Sequence, residues 1–85
     1  PLNLYKKIFI YNYYMTLKEE IEKKLNLKID SIDDNTTLIQ LGVDSIKLVE
    51  MAGIIEENTD IVLHEDDIFE INGKWLKNLV KNEKN

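Results

Sequence analysis

The sequence has no cysteine and only one histidine in its 85 residues. Without cysteine there is no disulfide, no thiolate nucleophile and no thiolate metal ligand from the chain itself. One histidine, His64, cannot build a metal cage or a His-paired triad unaided. No apolar run approaches the roughly 20 residues that span a bilayer, and no standard secretion signal is present. Basic charge is scarce too: 11 basic against 16 acidic residues leave a net charge of −5. An anionic surface repels phosphate backbones, which speaks against nucleic acid and for a basic partner surface. At this length the chain makes one domain that buries only roughly 60% of the surface its unfolded chain exposes, too little for a deep catalytic cleft. These absences point to a soluble, cytoplasmic, non-enzymatic domain with no resident metal and no membrane contact.

Residues 1–14, "PLNLYKKIFIYNYY", stand apart. They hold all four tyrosines and two lysines but no acid. Met15 then opens a clean helix start and reads as the native initiator. The expectation is a leader over 1–14, of cloning or upstream-translation origin or disordered, and a folded domain over 15–85. The sharper alternative is a docking segment, since "IFIYNYY" is apolar, uncharged and prone to aggregate if left bare.

Within the domain, four helices are expected. Thr16 and Glu19 match a capping box, and Leu17, Ile21 and Leu25 form one apolar stripe of helix 1, which runs to about Leu25. Residues 26–44 form a long loop rich in turn formers, with Leu27, Ile29, Ile32, Leu38 and Leu41 as spaced anchors and Gly42 as a turn. Helix 2 runs from about Ser45 to Glu57. A short helix 3 lies in "HEDDIFE", 64–70. Helix 4 lies in 72–82, with Asn72 as cap and Trp75, Leu76, Leu79 and Val80 inward. The fold class is all-α: a small four-helix bundle with three longer helices, one short one and no strands.

Helix 2 carries apolar residues on two sides. At roughly 100° per residue, Leu48, Met51, Ala52 and Ile55 cluster on one core face. Ile46 and Val49 fall on the other side with the small Gly53 between them, flanked by Glu50, Glu56 and Glu57. Two readings stay open. Either this second face binds a partner, with an apolar centre and an acidic rim, or helix 4 or the long loop covers it.

Ser45 sits where the loop turns into that helix. Its hydroxyl is suited to cap the helix, worth about 1 kcal/mol. The same helix start also favours a phosphate by roughly 0.3–1 kcal/mol. Catalysis by Ser45 needs a base within reach and an orienting group, and no G-x-S-x-G elbow is present. The acidic run after His64 reads as a first helical turn rather than a metal cluster.

The run Leu41-Gly42-Val43-Asp44-Ser45-Ile46, continuing to Val49-Glu50, resembles the attachment motif of the acyl carrier protein and peptidyl carrier protein superfamily. The capped helix 1, the long loop, the "IIEE" end of helix 2, "IVLHEDDIFE" and the short last helix follow in family order over about 16–82. The resemblance implies the acyl-carrier-protein type of bundle. It implies that Ser45 receives a covalent 4′-phosphopantetheine arm from coenzyme A through a separate Mg²⁺-dependent phosphopantetheinyl transferase. Asp44 would assist recognition by that transferase. The thiol of the arm would hold acyl or aminoacyl groups as thioesters. Ile46, Val49, Glu50, Gly53, Glu56 and Glu57 would form the docking surface for acyl- or aminoacyl-loading and elongating enzymes. The implied protein is a monomer serving fatty-acid, polyketide or nonribosomal-peptide-type biosynthesis.

The chain departs from the family at three places. Lys47 stands where fatty-acid carriers usually have an acid. Thr59 stands where an aromatic often closes helix 2. Gly73 falls near a usually apolar position of helix 4. The last two predict looser packing at the far end, with Trp75 filling the gap. The rival reading is a non-enzymatic helical interaction module in which Ser45 is only a helix cap; a small hydrolase would instead show turnover by unmodified protein.

Overall fold

Helix α1, Leu17–Leu25, starts where Thr16 caps it. The Thr16 hydroxyl accepts the Glu19 amide at 3.1 Å, and the Glu19 carboxylate accepts the Thr16 amide at 3.3 Å. The expected reciprocal capping box is therefore present, and it satisfies two amides that the helix itself cannot. Asn26 ends the helix in the left-handed region, its amide donating to the Glu22 carbonyl. The computed structural model describes residues 16–82. The leader expected over 1–14, and the exact limits 15 and 85 of the domain, lie outside the described residues.

The side chain of Glu22 then reaches forward and accepts the Ile29 amide at 2.9 Å. This ties a short 3-10 turn, Ile29–Ser31, beneath α1. Lys18 reinforces the link with an ion pair to Asp30 at 2.9 Å. Ile29, Ile32 and Leu38 are buried, so the loop between the first two long helices packs across the bundle as expected. Leu41 does not act as an anchor: it is 44% exposed. The turn after Leu38 explains this. The amides of Leu41 and Val43 both donate to the Leu38 carbonyl. The chain thus folds back on Leu38, and the residue at the crest faces outward.

Helix α2 spans Ser45–Asn58, α3 spans Glu65–Ile68 and α4 spans Gly73–Asn82. Leu48, Met51, Ala52 and Ile55 are all buried, as the periodicity of α2 requires. They meet Leu17, Ile21 and Leu25 of α1 in one core with Ile68, Ile71, Leu76 and Leu79. Trp75 and Val80 are half-buried at its edge. Among the described residues the architecture is an all-α bundle of three longer helices and one short one. The isolated bridge between Thr37 and Asn72 joins the loop to the start of α4.

That junction decides the role of Gly73. Asn72 caps α4 by accepting the Trp75 amide at 2.9 Å, which makes Gly73 the first helical residue and not an interior one. The Gly73 amide donates to the Thr36 carbonyl and the Lys74 amide to the Asp34 carbonyl, both at 3.0 Å. Gly73 is buried, and a Cβ placed there would collide with the Asp33 carbonyl oxygen and approach Cγ2 of Ile32 at 2.8 Å. The expectation that Gly73 loosens the packing is therefore corrected: the missing side chain allows the loop to lie against the helix start. Thr59 likewise substitutes chemistry for bulk. Its hydroxyl donates to the Ile55 carbonyl at 2.8 Å and accepts the Ile61 amide at 3.0 Å, closing α2 and turning the chain. No helix among the described residues is long and apolar enough to cross a membrane.

Candidate functional site

The site begins with a turn that only a residue tolerant of positive φ makes easily. Gly42 has φ of 89°, and its amide donates to the Ile39 carbonyl at 2.9 Å. Val43 drops partly into the core. The chain then enters α2 through Asp44, not Ser45. Asp44 is extended, with φ of −76° and ψ of 165°, and its carboxylate accepts the Lys47 amide at 2.9 Å. The expectation that Ser45 caps the helix is thus corrected by one residue: Asp44 is the cap and Ser45 is the first helical residue. A carboxylate is an effective cap because it both accepts an orphan amide and meets the positive end of the helix dipole.

This shift has two effects on Ser45. The cap does not require its hydroxyl, and the residue is exposed at the lip of α2. An enzyme can therefore approach the oxygen from solvent. The favourable field of the helix end is shared with the Asp44 carboxylate, so a phosphate on Ser45 meets less net attraction there than at an uncapped terminus. His64 stands at the cap position of α3, and its side chain makes no capping bond. No group of three or more histidine, cysteine or acidic side chains able to hold a metal occurs among the described residues.

The second face of α2 is open. Ile46 is 71% and Val49 57% exposed, so neither the loop nor α4 covers them. Gly53 is half-buried in the helix interior, and a Cβ there would meet nothing within 4 Å. Glu50, Glu56 and Glu57 are exposed beside it. Two of these acids are engaged within the chain. Glu50 lies 3.6 Å from the Lys24 ammonium, and Glu56 accepts the Leu63 amide at 2.9 Å.

Sequence reasoning missed two residues. Ile39 and Leu41 are 46% and 44% exposed on the turn that leads into Ser45. They add apolar surface to the approach. A pattern of spaced leucines carries no sign of which anchor faces out; the signal that could have found them is Gly42, whose turn reverses the chain at that point.

The phosphopantetheine attachment site family model matches residues 16–73. The chain is also 34% identical over 62 residues to an acyl carrier protein of Buchnera aphidicola subsp. Schizaphis graminum, covering 72% of this chain and 78% of that one.

Proposed function

The chain belongs to the phosphopantetheine-attachment family that includes the acyl carrier proteins, and from that membership we propose that Ser45 is the attachment residue of its covalent 4′-phosphopantetheine. The observation that carries this reading is the position of Ser45: exposed at the first turn of α2, with the capping work done by Asp44. When attached, the arm supplies the thiol that this cysteine-free chain lacks, and on it acyl or aminoacyl cargo rides as a thioester. Tethering raises the effective concentration of the cargo at each partner site.

The chain's own groups do the rest. Asp44 fixes the first turn of α2 and thereby holds the Ser45 hydroxyl at one place, where a phosphopantetheinyl transferase recognises the pair. Ile46, Val49, Glu50 and Gly53, with Glu56 and Glu57 further along, form the face that loading and elongating enzymes grip. The protein itself acts as a carrier and turns nothing over, in fatty-acid, polyketide or nonribosomal-peptide-type biosynthesis.

Co-expression with a broad-specificity phosphopantetheinyl transferase followed by intact-mass measurement tests the assignment. One added arm is expected on the wild type and none on Ser45→Ala. An unmodified wild type would return Ser45 to a plain helix residue and favour an interaction module built on the open face of α2.

A further inference from the structure

The chain enters α1 at one end of the bundle, and that end carries an open groove. The side-chain amide of Asn58, at the end of α2, donates to the Glu20 carboxylate at 3.2 Å. Glu20 lies in the first turn of α1, so α1 begins beside the place where α2 ends. Thr16 precedes Glu20 by only four residues, about 6 Å along the helix axis. Thr59 follows Asn58 directly and lines a cavity of 340 Å³ together with Asp60, Ile61, Trp75 and Leu79. A second cavity, of 400 Å³, shares Ile61 and Trp75 with the first and takes in Val62. Ile61 is 37% and Val62 70% exposed, and Trp75 is only half-buried.

The same end is acidic. Glu56, Glu57 and Asp60 fall close together in sequence, and Glu20 stands across from them. Glu57 and Asp60 are exposed and belong to none of the ion pairs among the described residues. Lys81, in the last turn of α4, adjoins the groove-lining Asn82 and offsets one of these charges. Residues 1–14 have the complementary make-up. Lys6 and Lys7 occur there without an acid, and Ile8, Phe9, Ile10, Tyr11, Tyr13 and Tyr14 follow them. A stretch of that kind left in water is an aggregation hazard. Phe9 precedes Thr16 by seven residues, a span of up to about 23 Å when extended. That is enough to reach the cavity that Thr59 and Trp75 share.

We propose that residues 8–14 of this chain dock in the groove between the end of α2 and α4. Their aliphatic and aromatic side chains lie over Ile61 and Trp75, while Lys6 and Lys7 meet Glu57 and Asp60. The occupant is the chain's own segment because it is tethered within reach, which gives it a higher effective concentration at the groove than a free partner has. Its charge is also opposite to that of the rim. Docking withdraws an exposed apolar surface of the bundle and a β-prone stretch from solvent together. It requires nothing of Ser45.

Trp75 is the only tryptophan, so its fluorescence in the full chain reports the groove directly. The triple variant Ile8→Ser, Phe9→Ser, Ile10→Ser leaves residues 16–82 untouched, and far-ultraviolet circular dichroism confirms that the helices persist. Relative to wild type, its Trp75 emission is expected to shift to longer wavelength and to be quenched more strongly by acrylamide. Lys6→Glu with Lys7→Glu is expected to expose Trp75 in part. Adding Glu57→Lys and Asp60→Lys to that variant is expected to restore the protection, which a general effect of the segment on stability would not do. Sedimentation at rising protein concentration is expected to show a monomer with unchanged protection. Equal emission and quenching in wild type and the triple serine variant overturns the proposal. Protection that appears only as a dimer forms also overturns it and assigns the groove to a second copy. Failure of the charge exchange to restore protection overturns it as well, because the segment would then not lie against Glu57 and Asp60.

Discussion

Replacing Gly73 by alanine should destabilise this protein, although helix propensity taken alone says the reverse. Alanine exceeds glycine by about 1 kcal/mol in a helix interior, which at the first helical residue is an upper bound on the preference acting in favour of the variant. Steric conflict outweighs it. The new Cβ would collide with the Asp33 carbonyl oxygen and approach Cγ2 of Ile32 at 2.8 Å. The nearer contact is backbone and cannot swing aside, so the loop must lift. Overpacking of this kind costs about 1–3 kcal/mol. Lifting the loop also strains the bonds from the Gly73 amide to Thr36 and from the Lys74 amide to Asp34, each worth about 1 kcal/mol net. The sum is a loss of about 2 kcal/mol, or a fall in melting temperature of roughly 10 °C for a domain of this size. Gly53→Ala is the internal control: nothing lies within 4 Å of a Cβ there, so propensity acts unopposed and the variant should gain up to about 1 kcal/mol. Thermal unfolding followed by the helical circular dichroism signal measures both. A Gly73→Ala variant that melts at or above the wild-type temperature would refute the reasoning, because the close approach of loop and helix would then be without energetic weight.

The cap and the α1 ion pair give further expectations. Asp44→Ala should cost about 1 kcal/mol in denaturant unfolding, with Asp44→Asn recovering most of it, since both oxygen-bearing side chains accept the Lys47 amide. Leu48, fully buried in α2, should cost about 2–5 kcal/mol on truncation to alanine, read as a lower denaturant midpoint at unchanged slope. The hydrogen bond from Lys18, and secondarily its charge, holds the Asp30 carboxyl below its ordinary value of 3.8. The same hydrogen bond holds Lys18 above its ordinary 10.5. The contribution of the carboxylate is thus complete above 3.8 and disappears as pH falls through the lowered folded value. That of the ammonium is complete below 10.5 and disappears as pH rises through the raised one. Because both groups are exposed the effect is small. The stability difference between wild type and Asp30→Asn should be present at neutral pH and close in acid; a difference that persists at the acid limit would exclude the pair as its source.

The helices of this protein were largely legible because their signals are local. Thr16 with Glu19 announces α1, the four-residue spacing of Leu17, Ile21 and Leu25 gives its buried side, and Asn72 announces α4. Each involves neighbours within a turn, so no distant contact can reverse it cheaply. The motif around Asp44 and Ser45 was legible for the same reason, and its match to a family pattern extends the reading to the cofactor. The one-residue shift of the cap shows the limit: aspartate and serine both cap well, and adjacent in sequence they offer two registers.

The sequence by itself determined the helix class, the core face of α2 and the chemistry available at its first turn. It left open whether Ile46 and Val49 face a partner or the bundle, because periodicity shows that a face is apolar but not what stands opposite it. It also assigned Gly73 and Leu41 the wrong parts. Gly73 is settled by a contact across the fold, the backbone of Asp33 forty residues away, and Leu41 by the geometry of the short turn that closes on the buried Leu38. The pairing of Lys24 with Glu50, which removes charge from the surface beside Ser45, likewise exists only once α1 lies against α2.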